Sequence, residues 1–250
     1  MSAYLSAVIA DAPLHYWRCA DPPGSLILID IGSSPYHLHA VGVNAIIGYS
    51  GPVSDGGCVD LALDSSFANS GENIAAAVAA MSMECIVWPF EHHAITNQWT
   101  SLAIGAPHQQ ALFNSAGKWG FIYKNTVVPA APVTNVADQT WTHLVGTYNG
   151  ANAQLYVNGA ASGAAVAIAA DVAYNDLFTL MGSVNTGSRG FIAEVAYYNT
   201  ALSAARVLAH YNAIDRINQP PIYSRAGVGS TSSGDLGLLA YILQSVRKIY

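Results

Sequence analysis

Apolar and polar residues alternate along most of residues 1–200, and clusters of Gly, Asn, Asp and Ser interrupt the alternation at short intervals. A period of two residues is typical of β-strands with one buried face, so the pattern predicts many short strands. Turn signals at this spacing favour an all-β fold, a two-sheet antiparallel sandwich with jelly-roll connections. The predicted strands are residues 14–18, 57–63, 82–88, 100–104, 110–114, 118–123, 142–148, 153–157, 177–182 and 190–198.

The clearest pattern lies in residues 140–159, TWTHLVGTYNGANAQLYVNG, where an alternating strand separates two Asn-Gly pairs. Asn and Gly tolerate the positive φ angles of a type I′ turn, so tight hairpin turns are predicted at Asn149-Gly150 and Asn158-Gly159. Between them, Leu155 and Val157 share one face of the strand. The stretch therefore predicts a meander of three antiparallel strands.

Helical spacing follows the last predicted strand. The spacing i, i+3, i+4, i+7 predicts a short helix over residues 204–212, with Ser203 as its N-cap. The residues expected to pack on the sandwich are Ala204, Val207, Leu208 and Tyr211. Residues 217–234 are rich in Pro, Gly and Ser, which is typical of a linker. We therefore divide the chain into a sandwich (1–213), a linker (214–234) and a C-terminal segment (235–250).

The C-terminal segment has the pattern of an amphipathic helix with a heptad seam. About fifteen residues form only a marginal helix alone in water, so this helix must be buried against another surface. It could fold back onto its own sandwich, but the long linker favours an anchor or an oligomerisation element. The predicted anchor residues are Leu236, Leu239, Ile242, Leu243, Val246 and Ile249.

Charged residues make up only 10% of the 250-residue chain, against about 25% in a typical soluble domain. An Ala-rich chain of modest solubility would account for this low fraction of charged residues. A surface that partner subunits cover accounts for it better. The net charge of −6 argues against a nucleic-acid partner. Residues 1–200 hold four basic and thirteen acidic side chains, and residues 201–250 hold five basic and two acidic ones, so the C-terminal fifth would suit an acidic surface.

Cys19, Cys58 and Cys85 cannot all pair with one another, and each lies in an apolar context, so each is predicted to be a small buried hydrophobic residue. No basic segment precedes an apolar run at the N-terminus, so no secretory signal is predicted. No run approaches the roughly 18 apolar residues of a membrane span. These features predict synthesis in a reducing cytosol and export, if any, within a larger particle.

Four segments carry a family resemblance, and they occur in the family's order: VIADAPLHYWRCAD (8–21), MSMECIVWPF (81–90), residues 140–159, and GFIAEVAYYNTALSAARVLAHY (190–211). Together they resemble the laminin-G-like, concanavalin A-like lectin/glucanase superfamily, in particular its bacteriophage-encoded type. The resemblance extends over residues 4–213 and implies a concanavalin A-like form of the predicted sandwich. It implies less about function, because this fold hosts many different sites.

The glucanase branch of that superfamily implies two catalytic carboxylates, about 5 Å apart in a retaining enzyme. Glu84 and Glu91 are seven residues apart, which places them on opposite faces of a continuous strand, and Pro89 is expected to interrupt that strand. The remaining Glu residues are Glu72 and Glu194. No catalytic residue is therefore assigned, and the chain is predicted not to be an enzyme.

No cofactor is assigned, but a calcium ion stays open because many laminin-G-like domains hold one at the sandwich rim through oxygen ligands. The acidic residues nearest to such a pattern are Asp55, Asp60 and Asp64, of which the last two could equally cap turns. The metal ligands are therefore unknown. Histidine pairs at His37 and His39, and at His92 and His93, lack a third ligand at a suitable spacing.

Glycan recognition needs exposed aromatic side chains beside polar groups. The resemblance places Trp17, Trp88 and Trp141 in core strands. The resemblance assigns no core position to four other aromatic residues, which are therefore candidates for glycan contact. Partly buried packing is nevertheless the simpler interpretation for Trp99, Trp119, Tyr49 and Tyr123.

These observations predict a non-enzymatic structural protein of a tailed-phage virion, a head decoration or fibre component made in the host cytoplasm. Its C-terminal segment would bind other virion proteins, the major capsid or tail proteins, while a lectin-like domain faces glycans. A homo-oligomer is expected, and a trimer would use the heptad seam directly. Neither nucleic acid nor a membrane is expected as a partner. The alternative is a free carbohydrate-binding module, and after it a degraded glycoside hydrolase.

Overall fold

A computed structural model describes residues 1–41, 45–61, 66–68, 79–91, 99–104, 110–169, 178–181 and 189–223. The helices in these ranges are α1 (Ala3–Ala10) and α2 (Ala204–Asn212). The strands are β1 (His15–Trp17), β2 (Ile27–Leu28), β3 (Leu38–Val41), β4 (Ala45–Ser50), β5 (Gly57–Leu61), β6 (Ser66–Ala68), β7 (Met81–Glu91), β8 (Trp99–Ile104), β9 (Gln110–Ser115), β10 (Lys118–Tyr123), β11 (Thr126–Val128), β12 (Thr142–Tyr148), β13 (Asn152–Val157), β14 (Ala160–Ala161), β15 (Val166–Ala167), β16 (Phe178–Met181) and β17 (Arg189–Tyr198).

The strands form two sheets. Sheet A has the order β14-β13-β12-β7-β17-β5-β4, with β1 beside β17 and β15 beside β13. Sheet B has the order β11-β10-β9-β8-β16-β6-β3-β2. The described strand pairs are antiparallel. The predicted all-β, two-sheet antiparallel sandwich is confirmed.

The alternation along β7 divides its side chains between two apolar clusters. Met83 and Cys85 pack in the core between the two sheets. Ile86 and Trp88 point to the opposite face of sheet A, where residues of α1 and α2 cover them. We call this second side the outer face of sheet A. The three cysteines are buried and unpaired, so their predicted role as small hydrophobic residues is confirmed.

Each of the ten predicted strands is present, with bounds that differ by a few residues. The expectation that Pro89 interrupts its strand is wrong, because β7 continues through Pro89 to Glu91. The register of β7 against β17 shifts beside this proline, between Arg189 and Gly190. An irregular position of this kind tolerates a residue without a backbone N–H.

One of the two predicted tight turns is confirmed. Asn158 and Gly159 both have positive φ angles, of 50° and 79°, and they join β13 directly to β14. The prediction for Asn149-Gly150 is wrong, because Asn149 is not in the left-handed region and its side-chain Oδ1 accepts hydrogen bonds from the backbone N–H groups of Ala151 and Asn152, at 3.1 and 2.8 Å. Such an Asx turn makes a longer loop.

Replacing Gly159 with alanine should lower the free energy of unfolding by about 1–2 kcal/mol, because a Cβ is strained at positive φ. The new Cβ would also lie 3.0 Å from the Leu208 side chain. Urea unfolding measures the effect. Gly24→Ala is the matched control, since Gly24 has a φ of +83° with open space around it and isolates the backbone strain. Wild-type stability of Gly159→Ala would contradict the turn assignment.

Helix α2 has the predicted bounds, and Ser203 caps it by accepting a hydrogen bond from Arg206 N at 3.3 Å. Its buried face differs from the prediction. Val207 and His210 are buried, whereas the predicted packing residues Ala204 and Leu208 are exposed. His210 thus lies on the buried face of α2, where the apolar spacing had placed Leu208.

Helix α1 was not expected from the sequence pattern. Ser2 caps it by accepting a hydrogen bond from Leu5 N at 3.1 Å. Tyr4 and Val8, one helical turn apart, are fully buried. A Ser cap followed by this spacing was the available signal. None of the described helices is long and apolar enough to cross a membrane.

The first part of the predicted linker packs on the sandwich. Trp141 Nε1 donates to Gln219 O at 2.8 Å, and Ser50 N donates to Ile222 O at 2.8 Å. Tyr49 and Tyr223 form an isolated β-bridge. The packed body therefore continues to Tyr223. The predicted C-terminal helix and its anchor residues lie outside the described residues.

Candidate functional site

A cluster of ionisable side chains lies between sheet A and its two helices. At its centre is Glu84 of β7, which is fully buried. The hydroxyls of Tyr4 and Tyr198 donate to its carboxylate at 2.8 and 2.7 Å. The ring nitrogens His143 Nε2 and His210 Nδ1 lie 2.7 and 3.0 Å from the same carboxylate. These partners come from α1, β17, β12 and α2, so Glu84 ties four elements to the central strand.

Electrostatics favours a charged carboxylate here. Burial by itself would raise the pKa of Glu84, but His210 and His143 hold that pKa well below its usual range. Burial also works against the charged imidazole of His210, yet Glu84 and Asp11 raise its pKa overall. Burial and the Glu84 charge raise the pKa of Tyr4, which therefore stays a neutral donor. The centre of the cluster is thus the Glu84 carboxylate, next to the His210 imidazole, whose protonated form is favoured.

His210 also connects the two helices. Its Nε2 lies 2.8 Å from Oδ2 of Asp11, the residue that ends α1. Arg206 Nε donates to both oxygens of the same carboxylate, at 3.0 and 2.9 Å, and Arg206 Nη2 donates to Ala7 O at 3.1 Å. These contacts hold α1 and α2 together over the outer face of sheet A.

A second buried carboxylate, Glu194 of β17, lies in a β-bulge. The register of β17 against β7 shifts between Ala193 and Ala196, and Glu194 has a positive φ of 50°. Arg18 Nη2 donates to its Oε1 at 3.1 Å, and the Tyr16 hydroxyl donates to its Oε2. Burial raises the pKa of Glu194 to about 7, although Arg18 and Tyr16 act in the opposite direction. The bulge thus turns an acidic side chain into the protein, where it is paired.

The carboxylates of Glu84 and Glu194 are each 0% exposed. Glycoside hydrolysis needs carboxylates on both sides of a sugar, which a closed site cannot admit. Tyr, His and Arg side chains enclose these two groups, so the arrangement can clamp the helices to the sheet. Glu72 and the side chain of Glu91 lie outside the described part of the chain.

An open polar cleft of about 370 Å³ lies on the outer face of sheet A, beside the first turn of α2. We call it the β12–β13 cleft. Its polar lining consists of Thr147, Asn149, Asn152, Gln154, Tyr156 and Ser203. Ala165, Ala201 and Leu202 complete the lining.

The strand period explains the polarity of this cleft. Ala153, Leu155 and Val157 of β13 are buried, so the residues between them point outwards. Gln154 Nε2 donates to Leu155 O at 2.8 Å, which leaves its Oε1 as an acceptor. Among the described residues, none forms a hydrogen bond with the side-chain amide of Asn152 or the hydroxyl of Tyr156. The cleft therefore presents amide and hydroxyl groups beside a half-buried aromatic ring.

The aromatic residues singled out from the sequence lie elsewhere. Trp17, Trp88 and Trp141 are buried, as predicted. Trp119 and Tyr123 are also almost fully buried, in the core between the sheets, so the expectation that they are only partly buried is wrong. Tyr49 is half-buried and packs against Phe191 and Tyr223, and the side chain of Trp99 lies outside the description. Tyr156 was missed as a site residue, although its outward strand position was evident.

The acidic and histidine residues considered for metal binding are not brought together where the structure describes them. Asp55 accepts hydrogen bonds from Ser2 N and Arg18 Nη2, each at 2.7 Å. Partial burial opposes the effect of these donors, which lower the pKa of Asp55 to about 2. His37 and His39 are exposed, the first directly before β3 of sheet B and the second within it. Within the described ranges no group of three or more His, Cys, Asp and Glu residues could hold a metal ion. Asp64, His92 and His93 lie outside those ranges.

Solved structures share this fold at low sequence identity. The ligand-binding domain of botulinum neurotoxin serotype D, in complex with N-acetylneuraminic acid, is 15% identical with a TM-score of 0.58 over 84% of this chain. This chain spans about half of that one, 52%. Trypanosoma rangeli sialidase is 15% identical with a TM-score of 0.58, over 83% of this chain and 34% of the sialidase.

Domain 4 of AbnA, an extracellular arabinanase of Geobacillus stearothermophilus, in complex with arabinotriose, has a TM-score of 0.60 at 15% identity. This similarity covers 80% of the present chain and 98% of domain 4. A search of curated proteins finds no match. The laminin G type of family model, described as the concanavalin A-like lectin/glucanases superfamily, matches residues 72–208, more than half of the sequence. The chain therefore belongs to the concanavalin A-like lectin/glucanase superfamily.

Proposed function

We propose that the chain is a non-enzymatic, lectin-like carbohydrate-binding domain that a phage virion displays and that its C-terminal segment anchors. The observation that carries the binding function is the β12–β13 cleft, where amide and hydroxyl groups surround Tyr156. Sugars offer hydroxyl groups for hydrogen bonds and apolar C–H faces for aromatic rings. A concave site with a few oriented polar groups beside an aromatic ring meets both needs.

Two similar structures support a role in glycan binding. The neurotoxin domain is bound to N-acetylneuraminic acid, and the arabinanase domain is bound to arabinotriose. The first is a ligand-binding domain of the toxin, and the second is one domain of the arabinanase. The absence of catalysis is supported by Glu84 and Glu194, because both carboxylates are enclosed and neither lines the cleft.

The attachment to a virion rests on the sequence of residues 235–250, on the basic charge of the C-terminal fifth and on the low charge of the whole chain. The last described residue, Tyr223, lies on the edge of sheet A beside β4. The sequence of residues 235–250 contains an apolar heptad seam. This seam could be buried in a neighbouring subunit or in a capsid or tail protein.

Attachment can be tested by co-sedimentation with phage particles assembled in cells that express the tagged chain. We expect the full-length chain to sediment with particles and a chain that ends at Tyr223 to stay in the supernatant. The double variant Leu239→Asp/Val246→Asp should behave like the truncated chain. The matched control, Ser232→Asp/Ser233→Asp, adds the same charge to the linker and should still sediment.

Sedimentation of the truncated chain with particles would contradict the anchor. Glycan binding by the truncated chain, with no particle attachment by the full-length chain, would favour the free carbohydrate-binding module. Release of reducing sugar by the purified chain would instead favour a glycoside hydrolase, and it would refute the non-enzymatic assignment.

A further inference from the structure

The β12–β13 cleft is lined by uncharged side chains among the described residues. Its described lining contains amides, hydroxyls, small apolar groups and one phenol, without a charged side chain. The cation nearest in sequence is Arg206, three residues after the lining residue Ser203. Its guanidinium is already committed, because Nε donates to both oxygens of Asp11 and Nη2 donates to Ala7 O. The cleft therefore gains no free positive charge from α2.

The other cations among the described residues are engaged or lie on another part of the fold. Arg216 Nε donates to Gln219 Oε1 at 2.7 Å, and Lys124 lies in the turn between β10 and β11 of sheet B. Arg18 pairs with Glu194 and Asp55, and Lys118 donates to Asn135 Oδ1 at 2.6 Å on sheet B. Arg189 pairs in register with Glu91 at one end of β7. The other end of β7, at Met81, pairs with Tyr148 beside the cleft. An eleven-residue strand separates these two ends by about 33 Å.

The segments outside the described ranges between residues 42 and 188 contain no Lys or Arg, whereas they contain Asp64, Glu72, Asp171 and Asp176. Residues 1–200 carry four basic and thirteen acidic side chains in total. This excess repels anionic ligands over several ångströms. The other three cations, Arg225, Arg247 and Lys248, belong to the C-terminal region outside the described ranges.

We infer that the β12–β13 cleft selects neutral sugar residues and discriminates against acidic ones such as sialic or uronic acids. The inference rests on the proposed glycan-binding function. A sugar carboxylate is best recognised by a paired Arg fork, and the described residues bring no such group to this cleft. The first turn of α2 offers backbone N–H groups and a small favourable dipole for anions, but a helix terminus at the surface contributes little against an opposing net charge. Neutral hydroxyls match the amides of Asn152 and Gln154 without any charge to desolvate.

The test is a titration of the full-length chain with neutral and acidic oligosaccharides at one ionic strength. Arabinotriose and maltotriose represent neutral sugars, and 3′-sialyllactose and trigalacturonic acid represent acidic ones, backed by an array of both kinds. We expect neutral sugars to bind at least about tenfold more tightly than acidic ones. Tyr156→Ala should weaken neutral binding about tenfold or more. Asn152→Ala should weaken it about three- to tenfold, as expected for one lost hydrogen bond.

Asn212→Ala is the matched control, because Asn212 is exposed at the other end of α2 and should leave binding unchanged. Ala165→Lys should reduce the preference for neutral sugars, because it places a cation in the lining. Equal or tighter binding of the acidic sugars would overturn the inference and leave the proposed function standing. Neutral binding that neither Tyr156→Ala nor Asn152→Ala weakens would overturn the location of the site. No binding to any sugar would overturn the proposed function itself.

Discussion

Replacing Glu84 with glutamine should lower the free energy of unfolding by about 3–5 kcal/mol, the usual cost of removing one partner from a buried charged pair. The side chain keeps its size, so no cavity forms. What changes is the charge that faces His210 and His143, both of which are buried within hydrogen-bond distance of Glu84. The cationic form of His210 would then keep only Asp11 as an anionic partner.

Urea unfolding of the Glu84→Gln variant measures this effect, and an unchanged m-value would show that the two states keep their compactness. Asp215→Asn is the matched control. Asp215 is exposed, and the asparagine would retain the oxygen that accepts from Ser54 N at 2.9 Å. We expect the control to change stability by less than about 0.5 kcal/mol. If the unfolding midpoint of Glu84→Gln equals that of the control, the Glu84 cluster does not stabilise the packing of α1 and α2 on sheet A.

Between pH 5 and 8, the protein should become less stable as the pH rises, by about 3 kcal/mol from Glu194 alone. Burial raises the pKa of Glu194 from 4.5 to about 7, so the folded state binds more protons than the unfolded state between these values. His210 acts in the same direction, because its pKa is raised, and its stabilising charge is lost as the pH passes through the folded value. Glu84 has a lowered pKa, so its contribution is complete above 4.5 and is lost only on further acidification.

Chemical denaturation at a series of pH values tests this dependence. In Glu194→Gln the part of the decline that comes from Glu194 should disappear, because the amide does not titrate, and the part that comes from His210 should remain. The Asp215→Asn control should keep the full wild-type decline. A wild-type profile that is flat or that rises from pH 5 to 8 would be incompatible with the buried, proton-binding Glu194 described here.

The strands could be predicted from local alternation because each buries one face, and that signal needs no knowledge of partners. The turn at Asn158-Gly159 was predictable for the same reason, since both residues reach positive φ. The turn at Asn149 was not, because its side chain competes by bonding the backbone two and three residues further on.

The buried cluster could not be found from local patterns. Glu84 and His210 are 126 residues apart, and they meet because helices from both ends of the body cover the same face of sheet A. In the sequence, each looks like an ordinary polar residue on the solvent side of its element. Burial of that side is a tertiary effect, which also explains why His210 lies on the buried face of α2 where Leu208 was expected.

The β12–β13 cleft was predictable only in part. The outward positions of Gln154 and Tyr156 follow from the strand period. The contribution of Ser203 requires that α2 begin beside β12 and β13, which no short-range pattern indicates. The freer aromatic residues considered from the sequence include Trp119, which is a core residue instead.

The most direct test of the account is an NMR titration of the isotope-labelled full-length chain with a neutral oligosaccharide from the array, in which the signals of both molecules are followed. We predict that backbone shifts concentrate at Thr147, Asn152, Tyr156 and Ser203 while the sugar remains intact over days. Shifts confined to other surfaces, or new reducing-end signals from a cleaved sugar, would contradict a non-catalytic glycan site in this cleft.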